Sequence, residues 1–241
     1  MPMMLTGAGR AAPGGSWSPV SLPAVRAWFG SGVGSDFTDA AATIQATNGQ
    51  AIYTRKDSVG AGSLQQATLA NRPLLDSTGT PFADFDNDLM SGAVSYAQPT
   101  ANGLCVVWVG TPAQALSLLA DRWNFNAPQW LMQINGGQFS FSLRLVGATP
   151  QPAVAAVLGA RTILIGEYRR VDNLATIQRN GGTVVTVAAT QEFEYPDSID
   201  PITLGGLHLG HNPYDGAQEA LIICDPLSDA DRTNLLAYYG F

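Results

Sequence analysis

Residues 161–187 carry three short apolar runs, Ile163–Ile165, Leu174–Ile177 and Val184–Val187. Turn residues separate them, Arg170–Asn173 first and then Asn180-Gly181-Gly182. Runs of this length, rich in Ile, Val and Thr and bounded by Asn and Gly, predict strands. Asn-Gly between β-prone flanks is a strong hairpin signal, because a type I′ turn needs positive φ at both central residues. The device recurs at Asn135-Gly136-Gly137, with Leu131–Ile134 before it and Phe139–Leu145 after it. Two such hairpins in the middle of one chain predict an antiparallel sheet protein. Leu104–Val109 is a continuous apolar run of strand length, the pattern of a strand buried on both faces.

The remaining pattern fills in around these hairpins. Leu22–Phe29 predicts a first strand, and Gly30–Asn71, with few bulky apolar anchors, predicts loops and short strands along one edge. Residues 72–91 predict a strand, a turn at Asp76–Pro81, and a second strand running into acidic residues. Ala113–Ala120 fits a short helix or a strand equally well. After a Pro-rich connection at 149–152 and an acidic loop at Glu192–Asp200, Ile202–Leu204 and Leu207–Leu209 form a strand broken at Gly205-Gly206. Ala217–Cys224 is the last strand.

The C-terminus changes period. Ser228 is placed to cap a helix, with Asp231 three residues on as a carboxylate variant of the capping box. Leu235, Leu236, Tyr238 and Tyr239 then fall on roughly one face, and Gly240 ends the segment. A single terminal helix on a β chain predicts a covering element over an open edge or face. Residues 1–21, rich in Gly, Ala and Pro and without periodicity, predict an extended arm; residues 22–241 form the folded domain.

Composition narrows the function. Charged residues are only 13% of the 241, net charge is −7, and Lys56 is the single lysine. No basic face can be assembled, which excludes nucleic-acid binding by phosphate neutralisation. Residues 89–120 carry no charge at all, but Asn102-Gly103 and Gly110-Thr111-Pro112 interrupt them. They predict buried strands and no membrane insertion. The N-terminal residues lack the apolar core of a secretory signal. Cys105 and Cys224 each lie in an apolar run and are expected as buried free thiols, with a disulfide left open; their spacing does not match a zinc site.

Candidate chemistry is sparse. Asp84, Asp86 and Asp88, with Asn87 among them, form the densest acidic cluster, either an oxygen-ligand calcium site or a turn capping its own backbone. His208, His211 and Asp215 are too awkwardly spaced along a strand to share a metal without a bend at Gly210. Glu192 and Glu194 are spaced to face one side, as a glycosidase pair would, but Pro196, Asp197 and Asp200 make the stretch a solvated turn. No nucleophile elbow or phosphate-cradling loop is present, so the chain is expected not to be an enzyme and to need no cofactor, calcium aside. Trp108 lies in the most buried run and is expected in the core. Trp123 and Trp130 flank a polar loop; with Asn124, Asn126 and Gln129 they are the candidate glycan-binding set, Arg122 standing beside them. Large aromatics at a core or interface position have the same signature.

The order of these parts resembles the concanavalin A-like, laminin G-related jelly-roll domains of bacteriophage and prophage structural proteins. The resemblance rests on Leu22-Pro23 with Trp28, on Thr54–Ser58 with Gln65–Thr68 and Asn71-Arg72-Pro73, and on Phe82–Leu89. Asn180-Gly181-Gly182, Leu204-Gly205-Gly206, Tyr214-Asp215-Gly216 and Pro226–Arg232 complete it over residues 22–241. Asn87 departs from it, standing where glycine is common. The resemblance implies an all-β, two-sheet antiparallel jelly-roll sandwich of about a dozen strands, with a short C-terminal helix and an extended arm. It implies a non-enzymatic virion component at the surface of the phage particle, in tail, fibre or head decoration, held to other virion proteins through residues 1–21. A homo-oligomer, with a trimer as the working guess, accompanies that reading. The alternative is a lectin-like module that attaches to a bacterial surface glycan.

Overall fold

The structure, a computed structural model, describes residues 17–22, 24–32, 34–94, 99–122, 129–194, 201–206 and 214–241. In chain order the first strands are β1 (Ala27–Gly30), β2 (Asp36–Phe37), β3 (Thr54–Lys56), β4 (Ser63–Gln65), β5 (Leu74–Asp76), β6 (Phe82–Asp88) and β7 (Met90–Gly92). β8 (Gly103–Pro112), β9 (Ser117–Arg122), β10 (Trp130–Asn135), β11 (Gln138–Leu143) and β12 (Ala153–Ala155) follow. The last are β13 (Thr162–Arg169), β14 (Leu174–Arg179), β15 (Val185–Ala188), β16 (Ile202–Leu204) and β17 (Tyr214–Cys224), and the chain closes with α1 (Asp229–Tyr239).

The strands form two antiparallel sheets. The first runs β15-β14-β13-β8-β17-β6-β5, with β6 pairing the first half of β17 and β1 the second; the second sheet runs β12-β11-β10-β9-β16-β7-β4-β3-β2. A two-sheet sandwich with one terminal helix is the architecture expected from the sequence. Within Ala113–Ala120, ambiguous by propensity, the residues from Ser117 onward form a strand, β9. The expected strand piece Leu207–Leu209 lies outside the described residues.

Alternation along the central strands builds two cores. On β8, Leu104, Val106 and Trp108 point between the sheets, while Cys105, Val107 and Val109 point outward beneath α1. β13 and β17 do the same, with Leu164, Leu221 and Ile223 inward and Ile163, Ile165 and Ile222 outward. The long apolar runs exist because both faces of these strands are covered. Cys105 and Cys224 face each other across β8 and β17 as buried free thiols. Burial, reinforced by Cys224, pushes the Cys105 thiol well above its ordinary range.

The hairpins form where Asn-Gly and Gly-Gly place them. Asn135 pairs with Gln138 across Gly136 and Gly137, whose φ values are 58° and 75°. The turn is therefore centred one residue later than Asn135-Gly136. At the second site the Gly182 N–H donates to the Arg179 carbonyl at 2.9 Å, across Asn180 (φ 50°) and Gly181 (φ 70°).

The helix begins and ends where its caps predict. The Ser228 hydroxyl accepts from the Asp231 N–H at 3.1 Å and donates to the Asp231 carboxylate at 2.6 Å. Gly240 takes the left-handed conformation, and the Phe241 N–H closes on the Leu236 carbonyl at 2.9 Å. Leu235 and Tyr239 are buried against the outward face of the first sheet, each side chain contributing about 1.5–3 kcal/mol. Trp17 and Leu22 join that outer core, Trp17 lying 5.8 Å from Tyr238 ring to ring. The last residues of the expected arm thus pack on the body; residues 1–16 lie outside the described residues. No helix among the described residues is long and apolar enough to cross a membrane.

Candidate functional site

Strand order brings three connecting segments to one end of the first sheet. β13, β8 and β17 are antiparallel neighbours, so the start of β8 meets the ends of the other two. Ala101 and Asn102, Arg169–Val171, and Asp225–Ser228 line a cleft of about 530 Å³ there.

Its floor is fixed by close contacts. Gly103 has φ +122°, and a Cβ there would stand 1.9 Å from the Tyr168 carbonyl oxygen, so glycine lets β8 start flush against β13. The Arg170 N–H donates to the Asn102 carbonyl at 3.2 Å, tying the two turns together. Asp225 is buried and holds the wall: its carboxylate accepts from the Thr100 hydroxyl at 2.8 Å and from the Asn102 amide at 2.8 Å, with Arg26 at 3.6 Å. Burial lowers the Arg26 pKa, which Asp225 partly offsets.

The two arginines differ in role. Arg169 is committed to structure, donating to the Leu227 carbonyl and lying 3.5 Å from Glu167 and 3.7 Å from Asp172. Arg170 stands at the rim, its side chain 44% exposed and paired with Glu192, which is 59% exposed. Such an exposed pair holds weakly and yields to a competing ligand. Val171 is 86% exposed beside it. Arg170, the Asn102 amide and the apolar surface of Val171, Pro226 and Leu227 together suit an amphipathic ring bearing hydroxyls. Asp225 is the one carboxylate among the described lining residues, and both its oxygens are engaged. The arrangement suits binding; it offers no acid and base across a bond.

The predicted site residues are dispersed. Trp123, Asn124 and Asn126 lie outside the described residues, as do His208 and His211. Gln129 and Trp130 are both 0% exposed. The Gln129 N–H donates to the Arg122 carbonyl at 2.9 Å, closing the β9–β10 connection. Trp130 belongs to the inter-sheet core. The expectation that Trp130 stacks on a sugar is therefore corrected, since its ring has no face left for one.

The acidic cluster divides across a bulge. Asp84 and Asp86 are exposed on the outward face of β6, whereas Asp88 is buried. Between them Asn87 takes φ 56° where the ladder to β17 slips by one residue. Asparagine tolerates this left-handed conformation, which explains why it can stand in a glycine's place. Partial burial first, then Asp215, Asp86 and Asp76, raises the Asp84 pKa; burial also raises that of Asp88. No group of three or more His, Cys, Asp or Glu suited to a metal occurs among the described residues. Calcium at Asp84, Asp86 and Asp88 thus has no assembled site there. Glu192 and Glu194 are each bound to an arginine, Arg170 and Arg144 respectively, the latter at 2.7 Å, instead of facing each other across a groove.

The sequence pattern leaves Arg170 among turn residues. The signal it does carry is two consecutive arginines at a strand end in a chain with only 12 basic residues.

No protein-family model matches the sequence, and no curated protein matches it. Solved structures do resemble the fold. The binding domain of botulinum neurotoxin serotype G superposes with a TM-score of 0.56 at 12% identity, covering 76% of this chain and 47% of that one. The binding domain of botulinum neurotoxin DC in complex with SialylT gives 0.56 at 10% identity, with 77% and 48% covered. A Trypanosoma rangeli sialidase gives 0.58 at 10% identity, with 90% and 33% covered. The matches thus take in about half the length of the two toxin domains. At these identities the likeness concerns the fold, a β-sandwich of the kind found in binding domains.

Proposed function

We propose that this chain is a non-catalytic glycan-recognition domain and that the cleft between Asn102, Arg170 and Pro226 is its binding site. The observation that carries the reading is the Asn102–Asp225 pair beside Arg170. A buried carboxylate presets one amide, and an adjacent guanidinium can exchange its exposed partner Glu192 for a ligand. The fixed amide and the forked guanidinium bind vicinal hydroxyls or a sugar carboxylate, while Val171 and Pro226 take the apolar ring face. The toxin domain in complex with SialylT supports the reading at the level of fold. A glycan array with the purified chain and with Arg170→Ala tests it. Binding by the wild type that the variant loses supports the proposal; silence across bacterial and animal glycans overturns it.

The setting we propose is attachment from a phage particle, as the sequence resemblance implies. Trp17, the first described residue of the expected arm, is seated on α1. Deleting 1–16 leaves a folded glycan binder that no longer enters the particle; undiminished incorporation contradicts the fastening role.

A further inference from the structure

We propose that the chain self-associates through the open edge of β15, two copies joining their first sheets into one continuous antiparallel sheet. The inference stands apart from the glycan reading.

The two sheets have five outer edges, because β1 forms one beside β6, and four are protected. At β1 the Trp28 N–H donates to the Asp57 carboxylate at 2.9 Å, and the Ser58 N–H donates to the Trp28 carbonyl at 2.8 Å. The edge at β5 is covered by residues 49–52: the Gly49 N–H donates to the Leu75 carbonyl at 2.8 Å, and the Leu75 N–H donates to the Gln50 carbonyl at 2.9 Å. The edge at β2 is covered by 44–46, the Ala46 N–H donating to the Asp36 carbonyl at 2.9 Å. β12 is only three residues long, follows Pro150 and Pro152, and has its Ala155 carbonyl taken by Arg179. These are the devices by which proteins blunt sheet edges.

β15, though only four residues long, has no proline and no covering segment among the described residues. Thr186, Val187 and Ala188 are exposed, as is Val184 before them, and residues 180–191 contain no charge and no proline. The register shows which main-chain groups face outward. Val187 pairs with Ala175, and two residues on the Ala189 N–H donates to the Asn173 carbonyl at 2.8 Å. In an antiparallel ladder the odd-numbered residues therefore address β14, while Val184, Thr186 and Ala188 turn their N–H and C=O groups away. Among the described residues no hydrogen bond engages the main chain of Thr186 or Ala188 from that side.

The register suits a second copy of the same edge, since Val184, Thr186 and Ala188 present outward groups symmetric about Thr186. Two molecules of net charge −7 repel, but an edge with no charged residue from 180 to 191 lets them meet without opposed like charges. A two-fold axis at Thr186 sets Thr186 against its own equivalent and Val184 against Ala188 of the second copy. Val185 then lies beside Val187, covering a valine that is 37% exposed in the single chain. Pairing through one short edge buries little area, so association is weak and strengthens as salt screens the net charge.

Sedimentation velocity from low micromolar to near-millimolar concentration, at low and high salt, reads this directly. The wild type forms dimers that increase with both. Thr186→Pro removes only an outward N–H and no bond to β14; Thr186→Lys sets two like charges against each other at the axis. Each raises the dissociation constant by about tenfold or more while the thermal melt stays cooperative. A wild type monomeric throughout overturns the proposal, as does a dimer that persists unchanged in either folded variant; if Thr186→Pro unfolds, Thr186→Lys decides.

Discussion

The Glu167 carboxylate lies 2.5 Å from the Arg232 guanidinium, joining the outward face of β13 to the first turns of α1. Glu167 is 1% exposed and also accepts from the Leu227 N–H at 2.7 Å, so one buried acid holds both the helix and the segment that leads into it. Arg232 in turn donates to Gln178 on β14 at 3.0 Å. The same segment, Asp225–Ser228, forms a wall of the cleft. Helix docking and cleft shape therefore share one ion pair among their supports.

Breaking that pair strands a buried charge. Glu167→Ala leaves Arg232 and the Leu227 N–H without their acceptor and costs about 3–5 kcal/mol in urea unfolding. Arg232→Met costs less, because Glu167 keeps Leu227 and Arg169. Equal small losses for the two variants contradict this account of the helix.

Trp130 distinguishes stability from binding. With its ring fully buried, Trp130→Ala opens a cavity and lowers stability by about 3–5 kcal/mol. Glycan affinity, measured by calorimetry well below the lowered melting temperature, stays within about twofold of wild type. A stable variant with lost affinity would return Trp130 to the binding set.

Asp84 gives a pH signature. Its folded pKa is raised by partial burial and by Asp215, Asp86 and Asp76, so its charged form is disfavoured in the folded chain. That penalty is full above the folded pKa and vanishes once pH falls below the unfolded value. Asp84→Asn therefore raises the melting temperature near neutral pH, and the gain closes as pH falls through the ordinary carboxylate range. Paired melts across that range check it; a gain that persists in acid contradicts the assigned cause.

Much of the fold was legible because local chemistry and tertiary role agree. Asn180-Gly181 adopts the positive φ values its turn requires, and Ser228 and Gly240 cap the helix as their positions suggest. Leu104–Val109 reads as doubly buried because the inter-sheet core and α1 cover its two faces. The cleft was not legible. Asn102, Arg170 and Asp225 are far apart in sequence and meet only because β8, β13 and β17 are neighbours, a fact of strand order that no local pattern encodes. Trp130 misled for the converse reason: a tryptophan beside a polar loop has the same sequence signature whether its ring faces solvent or core.

Arg170 and Asn102 are separable contributors to the site. Arg170→Ala removes the exchangeable cation and weakens glycan binding by about tenfold or more, without lowering stability, because its ion pair is exposed. Asn102→Ala weakens binding and also costs about 1 kcal/mol, because Asp225 loses a donor. Titration calorimetry and thermal melts on the same samples separate the two effects.

The most direct test of the account is chemical-shift mapping on the isotopically labelled chain, titrated with the strongest glycan from the array. The account predicts saturable shifts confined to the amides of 101–102, 169–171, 225 and 227–228. Shifts confined instead to 122–131, with the 169–171 turn unmoved, would contradict it.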